Sequence, residues 1–294
     1  MPATCSSSTE PRLATAAPNV LSAVTASSSL RTRRSRPRRC AAMTEDLRGI
    51  FEYAFMQRAL LGGAAIALMT GLLGTFVVQR GLAFLGDGLA HASFGGIALG
   101  ALVAYTTSAT GLLAEPLVLA LPFTLAAALA IAWVRDRTSL SSDTAIGVFF
   151  AVAVALGVLF LSLIPPDRNV VDVYHLLFGS ILAVGRDDLR VILVTTTLVT
   201  IVLLATWGRL AYATFDPELA ASDGIPVRTL DYALFAIAAV TVVVSAQVVG
   251  IVLMAAYLVI PAAAARLAAR SLVAMSIGAV AIGVTTTLTG LATS

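Results

Sequence analysis

The stretch TAIGVFFAVAVALGVLFLSLI, residues 144–164, is long and apolar enough to cross a lipid bilayer as a single helix. About 20 predominantly apolar residues are needed for one crossing, and this stretch contains no charged side chain. Comparable apolar runs occur along most of the chain, although 92–106 reaches the required length only when the more polar residues before it are included. They cover 59–79, 92–106, 117–134, 191–208, 232–260 and 271–292.

The run 232–260 is too long for one crossing. Gln247 and Gly250 interrupt it, so we interpret it as two short or broken helices that end at Pro261. Overall, 59% of the residues are hydrophobic and only 12% are charged, whereas soluble domains have roughly 25% charged residues. The sequence therefore predicts an all-α, polytopic membrane protein with seven to eight transmembrane helices.

The first 42 residues differ in composition from the rest of the chain. They are rich in Ser, Ala, Thr and Pro and contain seven arginines against the single acid Glu10. Such a segment cannot bury a core, and we expect it to be disordered. Three interpretations remain open: a transit-like presequence, a basic tail for anionic lipid, or upstream sequence with Met43 as the true start. Residues 43–294 are the predicted transmembrane domain.

Residue usage excludes several classes of function for residues 43–294. This segment has 12 arginines against 15 acidic residues, so it lacks the basic balance of a nucleic-acid-binding protein. Both cysteines, Cys5 and Cys40, precede it, which excludes a disulfide or a thiolate metal site within it. The chain has no lysine, and a phosphate-binding loop of the G-x-x-x-x-G-K-[ST] type requires one. We therefore expect no enzymatic activity, with any ATP hydrolysis on a separate subunit.

Asp87 and His91 stand out within the apolar stretch GLAFLGDGLAHASFGGIALG, residues 81–100. At i and i+4 on a helix their Cβ atoms lie roughly 5–6 Å apart, close enough to reach one ion. A carboxylate with an imidazole suits Zn²⁺ or Mn²⁺ and is poor for Cu(I). A carboxylate inside a membrane costs at least ~2.5 kcal/mol and commonly marks an ion path. The alternative is a satisfied intramembrane hydrogen bond.

A polar segment, 210–232, separates two of the apolar runs. Its sequence predicts a short helix: Asp216 can cap the N-terminus, Pro217 suits the first helical position, and Gly224 ends the helix. Glu218 adds a charge in the first turn. Either this is a solvated linker helix, or it is a docking surface for a soluble partner.

Three ordered motifs in the chain resemble the signature regions of the metal-ion ABC transporter permeases, the zinc and manganese importer family. They are GTFVVQRGLAFLGDGLAHASFGGIALG (74–100), LLFGSILAVGRDDL (176–189) and the pair FDPELAASDGIPVRTLD (215–231) and VVGIVLMAAYLVIPAAAARL (248–267). The resemblance extends from about residue 56 to 292.

The resemblance implies a permease that forms a homodimer in the bacterial inner membrane, with a plastid membrane as the alternative if residues 1–42 are a presequence. Its expected partners are a cytoplasmic ABC ATPase and an extracytoplasmic metal-binding protein. Asp87 and His91 would line the pathway for Zn²⁺ or Mn²⁺, with no permanently bound cofactor. The segment with Asp216, Pro217, Glu218 and Gly224 resembles the loop that docks into the ATPase.

The family pattern also predicts how the chain differs from its relatives near the C-terminal motif. Family members usually continue with one more hydrophobic helix after the motif seen here as TGLATS (289–294), so this chain is expected to lack it.

If the loop 210–231 is cytoplasmic, Arg80 and Arg135 lie inside and 165–189 lies outside, in agreement with the positive-inside rule. His175, on the outer side, is interpreted as an interfacial hydrogen-bonding residue rather than a ligand.

Alternatives to an ABC permease also remain. A secondary metal-ion transporter would use the same ion pair without an ATPase, and a chelate permease would need a wider cavity. An intramembrane enzyme is disfavoured because the chain has no H-E-x-x-H motif.

Overall fold

The computed structural model describes residues 53–107, 116–165, 177–180 and 183–293. This part of the chain forms eight long helices, each long and apolar enough to cross a membrane, and one short helix. The predicted polytopic all-α fold is confirmed, at the upper of the two expected helix counts. The helices are α1 (Ala54–Gln79), α2 (Leu85–Thr107), α3 (Pro116–Arg137), α4 (Ser142–Ser162), α5 (Arg186–Phe215), α6 (Pro217–Ser222), α7 (Val227–Val249), α8 (Ile251–Ala268) and α9 (Leu272–Thr293).

Helices α1, α2 and α7 form the centre of the bundle. Their most apolar windows are 72%, 61% and 67% buried, against 22–33% for the other five long helices. The main core is built from side chains of these three helices and of α3, α4, α5, α6 and α8, which pack against them. Its fully buried members include Leu73, Phe76, Leu89 and Phe235. The surrounding helices leave many large apolar side chains exposed, as expected where a protein surface meets lipid.

Glycines bring the neighbouring helices close to α1. A Cβ added at Gly74 would lie 2.2 Å from the carbonyl oxygen of Leu258 on α8. One added at Gly71 would lie 2.9 Å from the backbone nitrogen of Val280 on α9. Since lipid tails are as apolar as leucine, close packing of small residues replaces hydrophobic burial as the force between membrane helices.

The long run 232–260 is broken at Gly250, as the sequence predicts. Gly250 has φ +86°, a conformation that favours glycine, and separates α7 from α8. The predicted end at Pro261 is wrong, because α8 continues through Pro261 to Ala268. A proline removes one backbone donor from a helix, and membrane helices tolerate this when neighbouring helices surround the site. Pro261 is buried against such neighbours.

The short connections 80–84, 138–141, 216–226 and 269–271 lie at one end of the bundle, which we call the basic end. Ion pairs join the ends of α1, α3 and α7 there. The positive-inside rule predicts that the basic end is cytoplasmic, and this orientation stays a prediction. Its described arginines are Arg80, Arg135, Arg137, Arg209, Arg228, Arg266 and Arg270, whereas Arg58, Arg186 and Arg190 lie toward the opposite end.

Two sequence predictions lie outside the described residues. The first is that residues 1–42 form a disordered extension, and the second is that His175 is an interfacial hydrogen-bonding residue.

We predict that Gly74→Ala destabilises the bundle by about 1–3 kcal/mol, the usual cost of overpacking a core, because its methyl group would overlap the Leu258 carbonyl. Gly208→Ala is the matched control, since a Cβ at Gly208 of α5 meets no atom within 4 Å. The thermal unfolding midpoint of the purified protein in detergent measures both. Equal midpoints for the two variants would contradict the packing that we describe.

Candidate metal pair and docking helix

Asp87 and His91 lie together on one face of α2, as the sequence predicts. Asp87 is in the first turn of the helix and His91 follows one turn later. The His91 Nδ1 atom is 3.0 Å from the Asp87 carbonyl oxygen and 3.5 Å from its carboxylate Oδ1. The Asp87 side chain is 39% exposed and that of His91 is 21% exposed, so both reach an open surface of the chain.

The hydrogen bond of His91 sets which ring nitrogen is available to a ligand. A carbonyl oxygen only accepts hydrogen bonds, so Nδ1 donates its proton to the Asp87 carbonyl. In the neutral imidazole, Nε2 then carries the lone pair, which is the form that binds a metal ion. The ring also packs edge-on against Phe150 of α4, with centroids 4.5 Å apart. The hydrogen bond and the ring contact together fix the orientation of the imidazole.

Glycines on either side of Asp87 explain why the pair faces the remaining open surface. A Cβ at Gly88 would lie 2.5 Å from Ile146 of α4, and one at Gly86 would lie 3.0 Å from Leu258 of α8. Successive helical residues are about 100° apart, so Asp87 projects between these two close contacts. Only small residues at 86 and 88 permit this arrangement.

The described residues of one chain offer too few ligands for a complete metal site. Among the described residues, no group of three or more His, Cys, Asp or Glu side chains could hold a metal ion. The pair alone offers carboxylate oxygens and one imidazole nitrogen, which are ligands for Zn²⁺ or Mn²⁺. Further ligands must come from outside this set for a complete coordination shell.

The helix α6 is built as the sequence predicts. The Asp216 side chain accepts a hydrogen bond from the Leu219 N–H at 2.9 Å, and Pro217 occupies the first turn. Gly224, with φ +82°, reverses the chain so that the Ile225 N–H reaches the Ala220 carbonyl at 3.0 Å. This is a helix ending that glycine makes at the lowest cost.

Two exposed apolar side chains next to the start of α6 were missed by sequence reasoning. Phe215, the last residue of α5, is 66% exposed, and Leu219 of α6 is 51% exposed, beside the exposed Glu218. Because Asp216 interrupts the helix between them, no i, i+4 pattern links the two. Ala220 is fully buried, and the Tyr212 hydroxyl donates to Asp223 at 2.6 Å. The helix is thus held firmly while it presents a mixed apolar and acidic surface, which we call the α6 surface.

An ionic cluster at the basic end was also missed. Arg80 pairs with Asp231, and Arg135 lies 3.6 Å from the other oxygen of the same carboxylate. Nearby, Arg228 pairs with Asp136. A cleft of about 280 Å³ is lined by Arg135, Asp136, Arg228 and Asp231. Because 151 residues separate Arg80 from Asp231, no local pattern reveals the pairing.

Comparison with known proteins places these features in a family. The sequence model of the ABC 3 transport family matches residues 52–294. The manganese transport system membrane protein MntC of Listeria innocua is 31% identical over 245 residues, covering 83% of each chain. The high-affinity zinc uptake system membrane protein ZnuB of Haemophilus influenzae is 35% identical over 223 residues, covering 76% of this chain and 80% of ZnuB.

Among solved structures, PsaBC from Streptococcus pneumoniae in complex with Fab has a similar fold. The TM-score is 0.68 at 29% identity, and the match covers 82% of this chain and 83% of that one. The predicted fold of an ABC importer permease is therefore confirmed.

The capping geometry gives a local prediction. Asp216→Ala removes the side-chain acceptor of the Leu219 N–H and should destabilise α6 by about 0.5–2 kcal/mol, whereas Asp216→Asn keeps an acceptor. Hydrogen–deuterium exchange of a peptide covering 217–224 checks this, with faster exchange expected only for Asp216→Ala. Equal exchange in both variants would show that Asp216 does not hold the helix.

Proposed function

This chain belongs to the ABC 3 transport family, the permeases of metal-ion ABC importers, and from that premise we propose that two copies of it enclose a pathway for Zn²⁺ or Mn²⁺. The chain is a multi-pass membrane protein, and we place it in a bacterial inner membrane with its basic end in the cytoplasm. The transported ion is the substrate rather than a resident cofactor.

The Asp87–His91 pair is the observation that carries this proposal. Both side chains are partly exposed and Nδ1 is engaged by the Asp87 carbonyl, yet the pair supplies too few ligands for a four-coordinate ion. A two-fold axis beside α2 would bring two such pairs together and offer two carboxylates and two imidazoles. Homodimerisation therefore completes a site that a single chain leaves open.

The composition of this ligand set suits transport. It contains no thiolate, and a site made only of carboxylates and imidazoles can exchange its ligands with water. An ion in a pathway must bind well enough to enter and weakly enough to leave. The names of the relatives favour manganese or zinc, and both ions accept this set of ligands.

The two ends of the bundle are assigned to different partners. A cytoplasmic ABC ATPase docks on the α6 surface, with Phe215 and Leu219 as apolar anchors and Glu218 facing a basic group. An extracytoplasmic metal-binding protein delivers the ion at the opposite end. ATP hydrolysis belongs to the partner subunit, since the chain lacks the lysine of a phosphate-binding loop.

We predict that Asp87→Asn or His91→Ala abolishes metal accumulation in cells that lack their own importer, because either change removes a ligand from the pathway. Membrane level and ATPase capture should stay unchanged. Asp143→Asn is the control, since Asp143 occupies the first turn of α4 as Asp87 does in α2. His175→Ala is expected to be nearly silent. Wild-type uptake in both site variants would reduce the pair to an intramembrane hydrogen bond.

A second prediction concerns the α6 surface. Glu218→Arg combined with Gly224→Pro should abolish co-purification of the ATPase, because it reverses a charge and removes the conformation that ends the helix. Asp187→Arg is the control, a charge reversal at a side chain that is 89% exposed near the opposite end. ATPase activity of the complex in detergent gives a second measurement. Unchanged capture of the ATPase would refute the docking assignment. Metal uptake that persists when the ATPase no longer co-purifies would favour a secondary transporter.

A further inference from the structure

The Arg80 guanidinium binds two helices other than its own. It forms an ion pair with Asp231 on α7, and its Nε donates to the Thr214 hydroxyl on α5 at 2.9 Å. Its Nη2 lies 3.5 Å from the Leu210 carbonyl, also on α5. The side chain is only 6% exposed although it carries a full charge. We call Arg80, Thr214, Asp231 and Arg135 the Arg80 cluster.

Asp231 is shared between two arginines. One carboxylate oxygen pairs with Arg80, and the other lies 3.6 Å from Arg135 at the end of α3. Arg135 is also placed over the Phe235 ring, with its Cζ atom 5.8 Å from the centroid. The ends of α1, α3, α5 and α7 therefore meet at one carboxylate and one buried guanidinium.

Both partners of Arg80 belong to helices that flank α6. Thr214 lies one residue before the end of α5, and Asp231 lies in the second turn of α7. Between them, Tyr212 is bonded to Asp223 and the Ile225 N–H to the Ala220 carbonyl, so that α6 is fastened to the chain on both sides. A displacement of α6 must therefore act on the hydrogen-bonding partners of Arg80.

Arg80 also starts the turn that leads to the metal pair. Gly81 follows with φ +67°, and the fully buried Leu82 donates its N–H to the Val77 carbonyl at 2.9 Å. The Leu85 N–H then donates to the Leu82 carbonyl at 3.0 Å, and Asp87 lies in the first turn of α2. This short, hydrogen-bonded turn connects Arg80 to the first turn of α2, which contains Asp87.

We propose that Arg80 is a positioning residue that couples α6 to the Asp87–His91 pair. Movement of α6 driven by the ATPase reaches Arg80 through Thr214 and Asp231, and the turn 80–84 transmits it to the start of α2. The inference rests on the proposed function, since it requires an ATPase at α6 and an ion at the pair. Its distinguishing consequence is a change in the number of ions moved for each ATP hydrolysed.

The test uses the assembled importer in proteoliposomes, with Mn²⁺ uptake and ATP hydrolysis measured on the same sample. Arg80→Gln and Asp231→Asn should each lower the ratio of Mn²⁺ transported to ATP hydrolysed at least tenfold, while the ATPase still co-purifies. Asp136→Asn is the matched control, because the Asp136–Arg228 pair lies in the same cleft and does not contact Arg80. It should keep the wild-type ratio.

A purely structural role for Arg80 would give a different result. Uptake and hydrolysis would then fall together with the amount of folded protein, at an unchanged ratio, and the inference would be overturned. If Arg80→Gln does not assemble, Thr214→Val decides, since it keeps Arg80 and removes the bond to Nε together with the local bond from the Thr214 hydroxyl to the Leu210 carbonyl. It should lower the ratio in the same direction, and a wild-type ratio would overturn the inference.

A second measurement follows the start of α2 directly. Residues 43–294 contain no cysteine, so Phe84→Cys, in a chain with Cys5→Ser and Cys40→Ser, places one reactive thiol at a position that is 59% exposed. In the importer its labelling rate should change at least threefold between the nucleotide-free and ATP-bound states, and Arg80→Gln should remove that change. The same response in Arg80→Gln would overturn the coupling role.

The controls separate this inference from the proposed function. A wild-type complex without ATP-dependent Mn²⁺ or Zn²⁺ uptake would refute the function and the inference together. A coupled wild-type complex with an equally coupled Arg80→Gln variant would refute the inference alone.

Discussion

The hydrocarbon core of a membrane contains no water, so this chain must satisfy its own backbone donors and acceptors there. The eight long helices found among the described residues are the direct consequence. The break at Gly250 obeys the same constraint. The Gly250 N–H donates to the Ala246 carbonyl at 2.8 Å, and the Gly250 carbonyl accepts from the Met254 N–H at 3.1 Å. Gly250 thus takes part in the last hydrogen bond of α7 and the first of α8, and two helices follow each other where the sequence offers one apolar run.

Glycine packing then determines where polar groups can lie. In α2 the contacts of Gly86 and Gly88 occupy two sides of the helix and leave Asp87 on the open one. The structure also explains part of the tolerance for the charge. Asp87 sits in the first turn of a helix, where the positive end of the dipole stabilises a carboxylate, typically by 0.3–1 kcal/mol. The ~2.5 kcal/mol insertion cost refers to a charge at the centre of a membrane helix, whereas Asp87 lies in the first turn of α2, beside the basic end.

Much of this arrangement can be predicted from the sequence because the signals are local. Apolar runs give the spans, i and i+4 spacing brings Asp87 and His91 together, and an Asp-Pro start with a glycine stop gives α6. The missed features depend on tertiary packing. The continuation of α8 past Pro261 requires neighbouring helices, and the contact of Arg80 with Asp231 joins helices 151 residues apart. Neither leaves a periodic pattern along the chain.

The complete absence of lysine gives the basic end its particular character. A lysine there would satisfy the positive-inside rule equally well, but its ammonium is a compact point charge on a flexible stem. The guanidinium of Arg80 instead directs Nε, Nη1 and Nη2 toward a hydroxyl, a carboxylate and a carbonyl on two other helices. The same group thus binds both α5 and α7, which carry α6 between them. Since α2 begins only five residues after this guanidinium, one short hydrogen-bonded turn connects the basic end to the helix that carries Asp87 and His91.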